Sequence, residues 1–81
     1  MFSAQIIINN NNFGQFKGKK ALVNKEQLDN IIEKSKLFYK SNGFELTLEN
    51  GSFLVIPPDI VKNSILLVEV IEIKNKIKNE G

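Results

Sequence analysis

The sequence contains no histidine, no cysteine, no tryptophan and no arginine, so all eleven basic residues are lysines. These absences remove the side chain with a near-neutral pKa, the thiolate nucleophile, both soft metal ligands and the planar guanidinium that binds phosphate at two points. The chain can form neither a disulfide nor a Cys/His zinc site. The sequence therefore favours a binding role over catalysis, and it predicts no cofactor and no metal.

The composition is that of an ordinary globular domain. A length of 81 residues fits one domain, and 42% hydrophobic with 25% charged residues is typical of a folded protein. A domain of this size buries only about 60% of the surface of its unfolded chain, and association with another subunit is a common way to add stability. The net charge of +2 says little about partners. The abundance of Lys, Asn and Ile fits coding in an AT-rich genome.

The sequence also predicts a cellular compartment and the character of the last eight residues. Residues 6–8 are too short for the apolar core of a secretory signal, and no apolar run approaches the roughly eighteen residues of a membrane span. We therefore expect the cytoplasm, of a bacterium or of a phage-infected cell. We also expect one domain over residues 1–73. Residues 74–81, rich in lysine, are expected to be a strand extension or a flexible tail.

Periodicity predicts strands on both sides of one helix. Apolar alternation over residues 2–8 predicts the first strand, and the Asn-rich stretch over residues 9–18 predicts a loop. A short strand is predicted over residues 19–23. After the helix come a hairpin and one helical turn over residues 58–62. The last strand begins near Ser64.

The helix has the clearest local signals. Asn24 is a favourable N-cap, and Gln27 is placed to complete a capping box. Apolar residues then recur on one stripe at helical spacing. Gly43 suits the left-handed position that ends a helix, and Phe44 is expected to fold back onto Tyr39. The helix is therefore predicted to continue almost to Gly43.

The hairpin prediction decides which strand residues face outward. Asn50 and Gly51 are the favoured pair for a two-residue type I′ turn. Such a turn places Leu46 and Leu48 on one face and Leu54 and Ile56 on the other. The predicted fold is α+β with the order ββαβββ, in which a mostly antiparallel sheet of four to five strands carries one helix on one face.

A single helix cannot cover both faces of such a sheet, so apolar strand residues remain on the other face. An exposed patch of that kind normally marks an interface. The alternative is that the sheet curls and buries these residues itself. We expect a homodimer or higher oligomer, or another protein, to cover a set that includes part of residues 65–73. The residues singled out for this interface are Ile7, Leu54, Ile56 and Leu66.

The loop after the first strand is a second candidate site, because aromatic and basic residues interleave there. Rings could stack on bases while ammonium groups meet phosphates. The alternative is that the rings anchor the loop onto the core, and the absence of arginine weakens the case for nucleic acid. The residues of this Phe/Lys loop are Phe13, Phe16, Lys17, Lys19 and Lys20.

The carboxylates give no catalytic pattern. Glu45 and Glu49 on one strand lie about 13 Å apart by strand rise, too far for a glycosidase pair. Asp59 suits local hydrogen bonding in a turn, and no nucleophile–base pair is visible. We expect a small non-enzymatic binding module, an oligomeric regulator or inhibitor acting by protein–protein interaction, of a kind that phages and mobile elements encode. The alternatives are a nucleic-acid-binding protein that uses residues 13–20, and a nucleotide-binding sponge with sites between subunits.

Overall fold

The computed structural model describes residues 1–74, so the expected extension at 74–81 lies, apart from Lys74, outside the described residues. The predicted α+β class and the order of elements around the main helix are confirmed. The strands are β1 Phe2–Asn10, β2 Gly14–Lys17, β3 Ala21–Val23, β4 Phe44–Thr47, β5 Phe53–Ile56 and β6 Ser64–Glu72. The helices are α1 Lys25–Ser35 and the single turn α2 Pro58–Val61, and a 3₁₀ turn spans Phe38–Lys40.

Strand β1 is the centre of a four-stranded antiparallel sheet. One of its edges pairs with β6 along the whole strand, from Phe2 opposite Glu72 to Asn10 opposite Ser64. Its other edge is shared, because β2 pairs with the second half of β1 and β3 with the first residues. Strands β4 and β5 form a separate two-stranded sheet, joined to the first by a bridge between Gly18 and Leu48.

Strand β2 lies where the sequence predicted only a loop. The side chain of Asn10 accepts hydrogen bonds from the N–H groups of Asn12 and Phe13, at 2.8 and 3.1 Å, which folds the chain back on β1. Gly14 then adopts φ +91°, a conformation that glycine allows at little cost. The Asn-rich stretch therefore forms a tight hairpin turn, and its far side pairs with β1.

The core lies on one face of the four-stranded sheet, which we call the core face. Alternate residues of β1, including Ala4 and Ile8, point into it. Helix α1 covers one end through a buried cluster of Ala4, Val23 and Leu28. The β4–β5 hairpin, the 3₁₀ turn and α2 cover the other end. The buried cluster at that end is Ile8, Phe38, Leu46, Ile56 and Val61.

Helix α1 begins as predicted and ends earlier. The Asn24 side chain accepts from the Gln27 N–H at 2.8 Å, and the Gln27 side chain accepts from the Asn24 N–H at 2.9 Å. The prediction of a helix that continues almost to Gly43 is wrong, because α1 ends at Ser35 and a 3₁₀ turn follows. The tighter turn carries Phe38, which is fully buried, and tertiary packing of this ring outweighs helix propensity.

The capping box gives a first testable prediction. Replacing Asn24 with alanine removes the acceptor for the Gln27 N–H, and we expect a loss of about 1 kcal/mol in the free energy of unfolding. Urea unfolding followed by circular dichroism measures the change. The same replacement at Asn30, which lies within α1 and is exposed, is the control and should stay within about 0.5 kcal/mol of the wild type. An equal loss in both variants would contradict the capping role.

The β4–β5 hairpin has a different register from the predicted one. Thr47 lies opposite Phe53, the Leu48 N–H donates to the Ser52 oxygen at 2.8 Å, and residues 49–51 form the turn. A type I′ turn needs positive φ at both central residues. Gly51 has φ +89°, and no non-glycine residue among 1–74 has a positive φ. The longer turn shifts the pairing by one residue. Each side chain of β5 therefore points to the face opposite the predicted one.

Candidate interaction surface

The predicted interface residues are not exposed. Ile7 lies on the face opposite the core face, as expected, but it is only 5% exposed. Ile56 is 4% exposed, and Leu54 and Leu66 are half-buried against the core. The expected outward orientation is therefore wrong for Leu54, Ile56 and Leu66. For Leu54 and Ile56 the cause is the shifted hairpin register, which turns both side chains inward and leaves Phe53 and Val55 exposed.

A different set of aliphatic residues is exposed on the face opposite the core face, which we call the open face. Side chains of β6 alternate, so Leu66 and Val68 point towards the core face and their neighbours towards the open face. Ile73 continues this register, since its N–H donates to the Met1 oxygen at 2.9 Å. The exposed aliphatic residues of the open face are Leu22, Ile65, Leu67, Ile71 and Ile73, each 44–66% exposed.

Two central residues of the open face, Gln5 and Ile7, are covered by their neighbours. Gln5 lies where β1 changes partner from β2 to β3, and its Nε2 donates to the Gly18 oxygen at 2.8 Å and to Glu49 Oε2 at 3.1 Å. The Gln5 amide thus supplies a hydrogen-bond donor to the Gly18 carbonyl, which lies in the gap between β2 and β3. Ile7 lies between Lys17 on β2 and Leu67 on β6. Ile7 and Leu67 thereby join β1 to β6 on the open face, and the pair of Gln5 and Glu69 separates them from Ile71.

The outer edge of β6 pairs with no strand within residues 1–74. The Gly18 N–H donates to the Ile6 oxygen at 2.7 Å, so the main chain of Ile6 points towards β2. Val68 lies opposite Ile6, and its N–H and C=O therefore point away from β1. The same alternation points the polar main-chain groups of Leu66 and Val70 outward. The edge thus offers a row of unpaired donors and acceptors.

This edge carries little of the protection that natural edge strands usually have. Lysine, proline, a bulge or a short length usually prevents an edge strand from pairing with another chain. Strand β6 is nine residues long, pairs with β1 without a bulge, and contains neither lysine nor proline. Its charged residues are Glu69 and Glu72. A strand of this kind is suited to pairing with another chain.

The Phe/Lys loop does not gather its residues on one surface. Phe16 is half-buried against the core, whereas the next residue, Lys17, points to the open face. Phe13 is 60% exposed, and together with Phe16 it lines an apolar pocket on the core side. Lys19 and Lys20 are exposed beyond the end of β2. Phe16 and Lys17 border one open depression together with the carboxylate of Glu49, but Phe13, Lys19 and Lys20 do not line it.

Three further findings bear on function. No group of three or more metal-ligating residues occurs among residues 1–74. No helix in that part of the chain is long and apolar enough to cross a membrane. Comparisons with protein-family models, with curated proteins and with solved structures found no match. The geometry of the surface itself is therefore the basis for a functional proposal.

Proposed function

We propose that the chain is a small non-enzymatic binding module that acts through protein–protein contact, and that it pairs with a second copy of itself. The outer edge of β6 carries this proposal, because it pairs with no strand within residues 1–74 and lies beside exposed aliphatic side chains. Main-chain hydrogen bonds across such an edge supply affinity without a specialised pocket. Burial of the adjacent aliphatic side chains adds to it.

A second copy fits this edge because two antiparallel β6 strands can pair about a two-fold axis. Each strand then meets the same surface of its partner, as closed dimers require. If the two-fold axis passed beside Glu69, the two Glu69 carboxylates would lie directly opposite each other, which is unfavourable.

If the axis passes beside Leu67, the two Leu67 side chains lie opposite each other and the carboxylates are kept apart. This arrangement also pairs outward-pointing Leu66 of one copy with outward-pointing Val68 of the other. The exposed aliphatic side chains of the two open faces would then be adjacent.

The role that we propose for this module is regulation or inhibition of another macromolecule in the cytoplasm, of the kind that phages and mobile elements encode. Small size and the composition rich in Lys, Asn and Ile support this part of the proposal. The nucleic-acid alternative has weaker support, since the depression that Phe16 and Lys17 border also carries the carboxylate of Glu49 and does not include Phe13, Lys19 or Lys20. The nucleotide-sponge alternative has no contact in residues 1–74 that favours it.

Replacing Leu67 with lysine tests the self-association. The side chain is 49% exposed on the open face, so the fold should tolerate the change, while two ammonium groups would meet at the two-fold axis. We expect the wild type to sediment as a dimer. We expect Leu67→Lys to weaken association at least about tenfold, or ~1.4 kcal/mol. Sedimentation equilibrium over a concentration series gives both constants.

The matched control is Phe53→Lys, which adds the same charge at a residue that is 74% exposed on β5, away from β6. This variant should associate as the wild type does. Circular dichroism should show native folding in both variants. A wild type that stays monomeric at every concentration would end the proposal, and so would a Leu67→Lys dimer as tight as that of the wild type.

A further inference from the structure

The core is open at one end, where a pocket of about 300 Å³ separates the four-stranded sheet from β5. Ile8 and Phe16 form the sheet side, Leu54 and Ile56 the β5 side, and Ile60 of α2 the end. These five residues all belong to the main hydrophobic cluster. The pocket is therefore a continuation of the core that the chain itself does not fill. Of β6, the pocket is lined by Ser64 at the first position, and not by the exposed aliphatic residues of the open face.

The side-chain polar groups in the pocket wall are already hydrogen-bonded. Asn10 Nδ2 donates to the Asn63 oxygen at 3.2 Å and to Ser64 Oγ at 3.0 Å, while Asn10 Oδ1 accepts the two N–H groups of the β1–β2 turn. Ser64 Oγ in turn donates to the Ile60 oxygen at 2.6 Å. Neither side chain has a hydrogen left to donate to a ligand. The wall therefore offers contact almost entirely with apolar atoms.

The lining of the pocket contains no charged residue. A charged ligand would lose its hydration inside without gaining a partner, which costs far more than apolar contact returns. The volume lies at the lower end of the range for small-molecule sites, about 300 to 1,000 Å³. An apolar cavity of about 150 Å³ is already large enough for benzene. Size and polarity together select a small uncharged hydrocarbon group.

We propose that this pocket binds a small, uncharged, apolar molecule of the size of a substituted benzene ring. Phe13 stands at its rim with 60% of its surface exposed, and the Asn10 hydrogen bonds hold the turn that carries it. Aromatic rings pack on one another in edge-to-face or offset geometry. The Phe13 ring is therefore placed to cover a bound ring, while Phe16 and Leu54 contact its inner side.

Toluene is the probe for this site, and benzylammonium, which carries the same ring and a positive charge, is the comparison ligand. Amide resonances of isotope-labelled protein are followed while each compound is added. We expect toluene to shift resonances clustered around Ile8, Leu54 and Ile60, with saturation. Benzylammonium at the same concentrations should leave them in place. Shifts spread over β6 or over the whole chain, or equal effects of the two compounds, would overturn the proposal.

Two phenylalanine variants locate the binding. Phe13→Ala removes the ring at the rim, and we expect it to weaken toluene binding several-fold. Phe53→Ala removes another exposed ring, 74% exposed on β5, that does not line the pocket, and it should bind as the wild type does. Both rings are exposed, so both variants should fold. Equal affinity in Phe13→Ala and Phe53→Ala would show that toluene binds elsewhere and would reject the site.

Discussion

Replacing Phe38 with alanine is expected to lower the free energy of unfolding by about 3–5 kcal/mol. Phe38 is 1% exposed and is the largest fully buried side chain of the main cluster. Its ring meets Phe44 edge to face at 4.9 Å between centroids, and Tyr39 at 5.0 Å. A domain of 81 residues has a total stability of about 4–12 kcal/mol. A loss of this size is a large part of the total, so Phe38→Ala should unfold at a much lower urea concentration than the wild type.

The adjacent residue provides the control for this prediction. Leu37 is 59% exposed, so Leu37→Ala removes a side chain of similar character at nearly the same place and should cost less than about 1 kcal/mol. Urea unfolding of both variants measures the difference. Phe38→Leu keeps much of the volume and should recover part of the loss. A Phe38→Ala variant as stable as Leu37→Ala would show that this ring does not support the core.

The start of α1 could be predicted from the sequence because its signals are local. The reciprocal bonds of Asn24 and Gln27 involve residues three positions apart, so no tertiary information is needed. The end of the helix depends instead on where Phe38 is buried. The packing partners of that ring include Phe44, which lies beyond the next turn. A stripe of apolar residues at helical spacing does not contain this information.

For Leu54 and Ile56, the predicted interface failed at one step, the register of the hairpin. Asn50 and Gly51 fit a two-residue turn and also the longer turn that forms, and the two differ by one residue of pairing. Because side chains alternate along a strand, this single step decides whether Leu54 or Val55 faces the core. The core selects Leu54 and Ile56, which pack with Leu46. The general expectation of an exposed apolar face still holds, through β6.

Strand β2 could not be recognised because its formation depends on a buried polar residue. Four consecutive asparagines suggest a solvated loop, and the sequence does not distinguish them. In the structure Asn10 is 6% exposed and bonds to residues at the far end of the chain, whereas Asn9 meets Gln15 in solvent. This difference arises from the pairing of β1 with β6, a contact between distant parts of the sequence.

Replacing Asn10 with alanine is therefore expected to cost about 2–6 kcal/mol, since each of its four hydrogen bonds contributes about 0.5–1.5 kcal/mol. The loss has two parts. The turn that leads into β2 loses the acceptor for the N–H groups of Asn12 and Phe13. The connection between the ends of β1 and β6 loses the donor to Ser64 Oγ. Thermal and urea unfolding measure the total.

Asn9→Ala is the matched control, because it makes the same chemical change one position earlier and removes one exposed hydrogen bond, from Gln15 at 2.9 Å. We expect a cost below about 1 kcal/mol for this variant. The two alanine variants should also differ in which backbone amides exchange faster. Amide exchange should accelerate over residues 11–17 in Asn10→Ala, because the turn that holds β2 is lost, and it should stay near the wild-type rate in Asn9→Ala. Equal stability of the two variants would mean that β1–β6 pairing alone positions β2, and that the buried amide is dispensable.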